Sequence, residues 1–206
     1  MEKDYWQEQI RVNRAQYAYM LLPAKNKYAV FSRGTGKSFI VGAEVDENVR
    51  IMPRGVTTIA QATIGQALTK TLPSTFKMLD MLGYKPYDYQ THTGDYVVCR
   101  RPPDGWYQPY EHIMQFDHVI SFSNGHILYI LTQEGNSRGP NADFNITDEA
   151  LTINKEKFDQ EVAPTNRGSL RQAFRPSHRQ APWQCVPLVN ALHLTAEMAA
   201  RSCRIL

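Results

Sequence analysis

Cysteine is scarce. Cys99, Cys185 and Cys203 are odd in number and far apart, which suits a reducing compartment and excludes a disulfide framework. No stretch reaches the roughly 18 consecutive apolar residues of a membrane span, so no membrane partner is expected. The opening MEKDYWQEQI is charged and polar, unlike a secretory signal. Internal repeats and low-complexity tracts are absent, which argues against solenoids and fibrous folds. What remains is an ordinary globular balance: 206 residues, 42% hydrophobic, 21% charged and 11% aromatic, enough for one good core. A net charge of +3 is too small to announce a nucleic-acid binder.

Glycine and lysine also run out along the chain. The last glycine is Gly168 and the last lysine Lys157. Residues 1–168 hold 18 Lys/Arg and 19 Asp/Glu, a net of −1, whereas 169–206 hold five Arg and one acid, Glu197, a net of +4. The division expected is therefore a domain over 1–168 and a basic tail over 169–206. Such a tail suits a phosphate backbone, a change of domain, or a truncated or frame-shifted gene end.

Ala29–Ser32 reads as a short strand, followed by SRGTGKS and a helical pattern through Phe39, Ile40, Ala43 and Val45. Val56–Ala60 reads as a second strand. Leu68, Leu72, Phe76, Leu79 and Leu82 recur at spacings of four, four, three and three, one apolar helical face broken or restarted at Pro73 and closed by Gly83. Asp95–Cys99 reads as a strand. Val119–Phe122 and His126–Leu131 flank Asn124-Gly125, a strong hairpin signal. Ala142–Thr147 is a further strand, and Ala150–Val162 a helix with Leu151, Phe158 and Val162 on one side. Alternating helices and strands predict an α/β fold, a mostly parallel sheet flanked by helices with an antiparallel hairpin insertion.

Phe31-Ser32-Arg33-Gly34-Thr35-Gly36-Lys37-Ser38 carries the second half of the G-x-x-x-x-G-K-[ST] pattern, with Phe31 where the first glycine would stand. A strand, a glycine loop and a helix in that order make a P-loop NTPase the expected fold. Gly34 and Gly36 let backbone N–H groups turn toward an anion at a helix N-terminus. Lys37 reaches phosphate oxygens, and the Ser38 hydroxyl ligates Mg²⁺. The ATP-binding set expected is Ser32, Arg33, Gly34, Thr35, Gly36, Lys37 and Ser38. A metal-bound triphosphate also needs an acid at a strand end, and Asp148-Glu149 supplies two. Asp148 would hold Mg²⁺, directly or through water, and Glu149 would polarise the attacking water. Two acids at a helix start also suit plain dipole complementarity.

SRGTGKS with its internal Arg33, NITDEA with its acidic pair, and the upstream Ser137-Arg138-Gly139 together resemble the large terminase subunit of tailed bacteriophages, in its N-terminal packaging ATPase. The resemblance spans roughly residues 10–168. Asn13-x-x-Gln16 is similar to the family's adenine-contacting glutamine segment, which adds Gln16 to the ATP-binding set, the alternative being a helix-surface amide. The resemblance implies a motor in the infected host's cytoplasm. It hydrolyses ATP with Mg²⁺ and drives double-stranded DNA into a procapsid, working as a homo-oligomeric ring with a portal protein and a small terminase subunit. It also implies that Arg138 serves as an arginine finger on a neighbour's ATP, the alternative being a surface arginine capping a turn. Arg33 would contact phosphates or form a structural ion pair.

Two departures stand beside the resemblance. The family's metal-dependent nuclease domain has no counterpart after residue 168, so no nuclease activity is expected. Its coupling motif has only Thr165 and Thr195 as weak candidates. A non-catalytic nucleotide- or DNA-binding remnant of a disrupted gene is the alternative function; a helicase or small-molecule kinase fits less well. His178, Cys185 and His193 match no common zinc spacing, and Asp95, Asp104 and Asp117 sit at turn signals. Trp6, Tyr17 and Tyr19 suit burial against the first helix better than stacking on adenine.

Overall fold

Val56–Gln61 is buried at every position, the mark of a strand enclosed on both faces. The computed structural model describes residues 10–24, 26–32, 34–133 and 140–167, and the backbone of 185–190. Seven strands form one sheet: β1 Ala29–Phe31, β2 Val56–Gln61, β3 Tyr96–Val98, β4 Val119–Phe122, β5 Ile127–Thr132, β6 Phe144–Asp148 and β7 Cys185–Asn190. Their order is β1-β7-β6-β2-β5-β4-β3. The first five in that order run parallel, and β4 and β3 extend the sheet antiparallel. This is the α/β, mostly parallel sheet with an antiparallel hairpin that the sequence predicts.

The helices are α1 Arg14–Met20, α2 Lys37–Ile51, the single turn α3 Ile64–Gln66, α4 Leu72–Met81 and the single turn α5 Lys155–Lys157. Helices α2 and α4 approach closely: a Cβ on Gly42 would lie 2.5 Å from the Cβ of Met78. Ile40, Val41, Val45, Ile59, Leu72, Leu79, Ile120, Leu128 and Ile146 fill the main core. Each such burial contributes roughly 1.5–3 kcal/mol. The hairpin forms as expected, with Gly125 at φ +81° and the Asn124 side chain donating to the Val49 carbonyl at 2.8 Å.

Two expectations are corrected. Leu68 does not share the apolar face. Residues Ala67–Thr71 form a π-helical turn between α3 and α4, and its wider winding turns Leu68 to solvent while Ala67 and Thr71 face inward. The restart expected at Pro73 does occur: α4 begins at Leu72, and Pro73 lies in its first turn, where its missing N–H costs nothing. Ala150–Val162 is not one helix: a 3₁₀ turn Ala150–Thr152, the α-turn Lys155–Lys157 capped by Asn154, and a π-turn Phe158–Val162 follow in series. Strand ends shift by a residue or two. The segment expected as a basic tail carries β7, so the sheet draws on both sides of residue 168. No helix among the described residues is long and apolar enough to cross a membrane.

His126 is fully buried beside the hairpin. Its Nδ1 donates to the Met52 carbonyl at 2.8 Å, which leaves Nε2 to accept from the Thr57 hydroxyl at 2.9 Å. Burial pushes its pKa down to about 4, against smaller upward pulls from Met52 and Asp143. The unfolded chain takes up this proton at higher pH than the folded one, so stability is complete above pH ~6.5 and falls as pH drops toward ~4. A loss of about 3 kcal/mol across that window is expected. Urea midpoints measured against pH should show it, and His126→Phe should flatten that slope.

Candidate functional site

Helix α2 begins at Gly36, which sits at φ +77°, ψ 38°, a left-handed conformation that a side chain resists. Gly34 has φ +80°. These two turns carry the chain from the end of β1 into the helix N-terminus, where N–H groups and the helix dipole favour an anion. The Thr35 hydroxyl donates to the Ser32 carbonyl at 2.7 Å and pins the loop internally. Lys37 Nζ donates to the Phe31 and Ser32 carbonyls at 3.2 and 3.0 Å, so its side chain folds back over the loop. Phe31 is the last residue of β1, and its half-buried ring packs on the main core. That packing explains the departure from glycine there. Ser38 lies half-buried in the first turn of α2.

Helix α1 closes over this loop. Its capping box, Asn13 with Gln16, fixes its start: Asn13 Oδ1 accepts from Gln16 N at 2.9 Å, and Gln16 Oε1 accepts from Asn13 N at 2.8 Å. The same two side chains donate outward, Asn13 Nδ2 to the Thr35 carbonyl at 3.0 Å and Gln16 Nε2 to the Gly36 carbonyl at 3.1 Å. A Cβ on Gly36 would lie 2.5 Å from Gln16 Nε2. Gln16 is therefore a buried loop contact rather than a surface amide. Tyr19 is buried in the core and Tyr17 is exposed.

Asp148 ends β6 and is buried. Its Oδ2 accepts from the Thr71 hydroxyl at 2.6 Å and its Oδ1 from the Glu149 N–H at 3.0 Å. Burial raises its pKa above the usual carboxylate range; the Thr71 bond and the charge of Lys37 oppose this, and Glu149 adds to it. Strands β1 and β6 run parallel on either side of β7, so the loop after β1 and the acid ending β6 lie at the same edge of the sheet. Glu149 sits at φ 50°, ψ 46°, an uncommon backbone for a non-glycine residue, and its carboxylate lies 3.7 Å from Lys70 Nζ.

These residues fit a magnesium-bound triphosphate. Gly34 and Gly36 hold the left-handed turns that lead into the N-terminus of α2, and the donor set of ammonium, hydroxyl and carboxylate has the chemistry for phosphate and a hard cation. A cation beside Asp148 would also counter the burial that raises its pKa. Ser38 and Asp148 alone are two protein ligands, in keeping with a Mg²⁺ that keeps waters and phosphate oxygens. No group of three His, Cys, Asp or Glu among the described residues is arranged to hold a metal, and Asp95, Asp104 and Asp117 form no such cluster. Arg33, Arg138, Trp6, His178, His193 and Thr195 lie outside the described residues, as does the side chain of Cys185. Thr165 is buried in a 3₁₀ turn, its hydroxyl donating to the Val162 carbonyl at 2.7 Å. Sequence reasoning missed Gln61, Lys70 and Thr71. A polar residue inside an apolar helical stripe was the only available signal for Thr71.

No family model matches the chain, and no curated protein matches it. Solved structures do. The large terminase ATPase domain of Thermus phage P74-26 is 16% identical with a TM-score of 0.53, covering 87% of this chain and 65% of its own. A substitution mutant of that domain gives 14% identity, a TM-score of 0.52, and 87% and 66% coverage. The large terminase of a second, thermophilic bacteriophage is 12% identical with a TM-score of 0.57, covering 94% of this chain and 50% of its own. The chain thus spans between half and about two thirds of these proteins, and at such identities the likeness shows a shared fold.

Proposed function

We propose that this chain is the ATPase of a viral DNA-packaging motor. The observation that carries the reading is the placing of Lys37, on a loop of two left-handed glycines after β1, and of Asp148, at the end of β6, at the same ends of strands that run parallel in one sheet. Gly34, Thr35 and Gly36 turn N–H groups toward phosphate, and Lys37 offsets its charge. Ser32 and Arg33 complete the loop. Ser38 and Asp148 hold the metal, and Gln16 contacts the base side. Glu149 orients the attacking water and accepts its proton. Bound Mg²⁺ and ATP supply the γ-phosphoryl group and the cation that draws charge from it. The work expected of the assembly is translocation of double-stranded DNA by a ring of these subunits, with a portal protein and a small terminase subunit, in the cytoplasm of the infected cell. Nuclease activity is not assigned to this chain.

Arg138 is assigned as a finger acting across the subunit boundary, a charge worth ~10³–10⁵ in rate. Turnover should then rise faster than linearly with protein concentration, and further with DNA. Arg138→Ala should bind ATP and fail to hydrolyse it. Mixing it with Glu149→Gln should restore part of the rate, because some interfaces pair an intact finger with an intact base. No recovery would place the finger within its own subunit. The composition break after Gly168 favours one other reading, a nucleotide-binding module without turnover. Binding with no hydrolysis at any concentration, with or without DNA, would establish that reading instead.

A further inference from the structure

The π-helical turn Ala67–Thr71 presents two consecutive side chains to two consecutive acids: Thr71 to Asp148 at 2.6 Å and Lys70 to Glu149 at 3.7 Å. The two contacts differ in kind. Lys70 and Glu149 are partly exposed, and a pair of that sort is screened and easily left. Thr71 and Asp148 are both buried, and their bond is backed from behind. Gln61, the last residue of β2, donates Nε2–H to Thr71 Oγ1 at 2.9 Å. Ala60 is in register with Thr147, so Gln61 and Asp148 stand one step further along the same pair of strands. A hydroxyl has one hydrogen, and with Gln61 as donor to its oxygen that hydrogen is committed to Asp148. The Thr75 hydroxyl, donating to the Thr71 carbonyl at 2.9 Å, ties the turn to α4.

We propose that Thr71 is the positioning residue of Asp148, fixing the carboxylate plane from which the acid meets the metal. The proposal rests on the reading of Asp148 as a metal ligand. Asp148 Oδ2 takes one hydrogen bond from Thr71 and Oδ1 one from the Glu149 N–H, so each oxygen keeps a lone pair in a set direction. The chain Gln61–Thr71–Asp148 joins the ends of β2 and β6 through the π-turn. A partner that holds a ligand in this way typically contributes 10- to 100-fold in metal affinity. An α-helical winding through residues 67–71 would present a different residue to Asp148, which gives the π-turn a reason to exist.

The test is binding of a fluorescent ATP analogue, titrated with Mg²⁺ and repeated in EDTA, on the full chain. In Thr71→Val the Mg²⁺ concentration for half-saturation should rise about ten-fold or more, with affinity in EDTA at the parent value. Thr71→Ser, which keeps the hydroxyl, should return the midpoint close to the parent. An unchanged midpoint in Thr71→Val overturns the proposal. So does an equal loss of affinity with and without metal, which marks a purely structural threonine. Thermal melting reports whether each variant is folded. Should Thr71→Val fail to fold, Gln61→Leu should shift the same midpoint in the same direction by a smaller factor, and no shift there overturns the proposal. A parent chain that binds no nucleotide fails the underlying reading instead. A parent whose binding ignores Mg²⁺ overturns the role of Asp148.

Discussion

Glu149→Gln should bind ATP as the parent does and lose hydrolysis by about 10²–10⁴-fold, the usual contribution of a positioned base. The substitution keeps size and hydrogen-bonding reach and removes the ability to take a proton. Stability should hardly change. The ion pair with Lys70 is long and partly exposed, a class worth about 0–1 kcal/mol. The left-handed backbone at 149 imposes the same strain on either side chain. Phosphate release, measured beside nucleotide binding, separates the two effects. Hydrolysis at the parent rate would remove Glu149 from the role of base. Loss of binding would mean that the residue helps build the nucleotide site.

Lys27→Met should destabilise the fold by about 3–5 kcal/mol, the range for breaking a buried pair from one side. Lys27 Nζ lies 3.0 Å from Glu44 Oε1 and 3.7 Å from Glu47 Oε2, and 5.5 Å from the ring centre of Tyr19. The Lys27 and Glu44 side chains are 2% and 1% exposed, so no water replaces the lost partner. Burial already raises the Glu44 carboxyl, and Lys27 holds it down. Without Lys27 the carboxyl rises further, so the folded variant holds its proton to a higher pH than the unfolded chain. Its deficit should therefore shrink as pH falls and grow as pH rises through the folded value. Denaturant midpoints at several pH values test this, and adding Glu44→Gln should recover much of the loss. A deficit independent of pH would show that the lysine acts through packing alone.

The glycine turn between β1 and α2 was legible because Gly34 and Gly36 are needed there for left-handed backbone, so their order carries information. Asn124-Gly125 announced its hairpin for the same reason. The stretch after Glu149 misled because Leu151, Phe158 and Val162 keep a helix-like spacing while the backbone changes winding at each turn. Asn154, which caps the α-turn by accepting from Lys157 N at 3.1 Å, was the available warning. Leu68 misled because a π-turn leaves no mark in apolar periodicity. Strand β7 was hidden by Pro187, a residue that cannot donate to a ladder and argues against an interior strand. The partners of Asp148 and Glu149 were beyond reach, since Thr71 and Lys70 meet them through tertiary contact alone.

The pairing of β1 bears on how the protein is made. Ala29 stands opposite Leu188, and β7 is the sole neighbour of β1 among the described strands. A ribosome delivers β1 long before its sheet partner. Pairings so distant in sequence close slowly, because a long loop must be ordered before any contact rewards it. The nascent chain can assemble β2, β4, β5 and β6 while β1 still waits for its place. The glycine loop therefore reaches its place in the sheet only once β7 has emerged, and a chain interrupted before it holds Asp148 and Glu149 in position with β1 still unpaired.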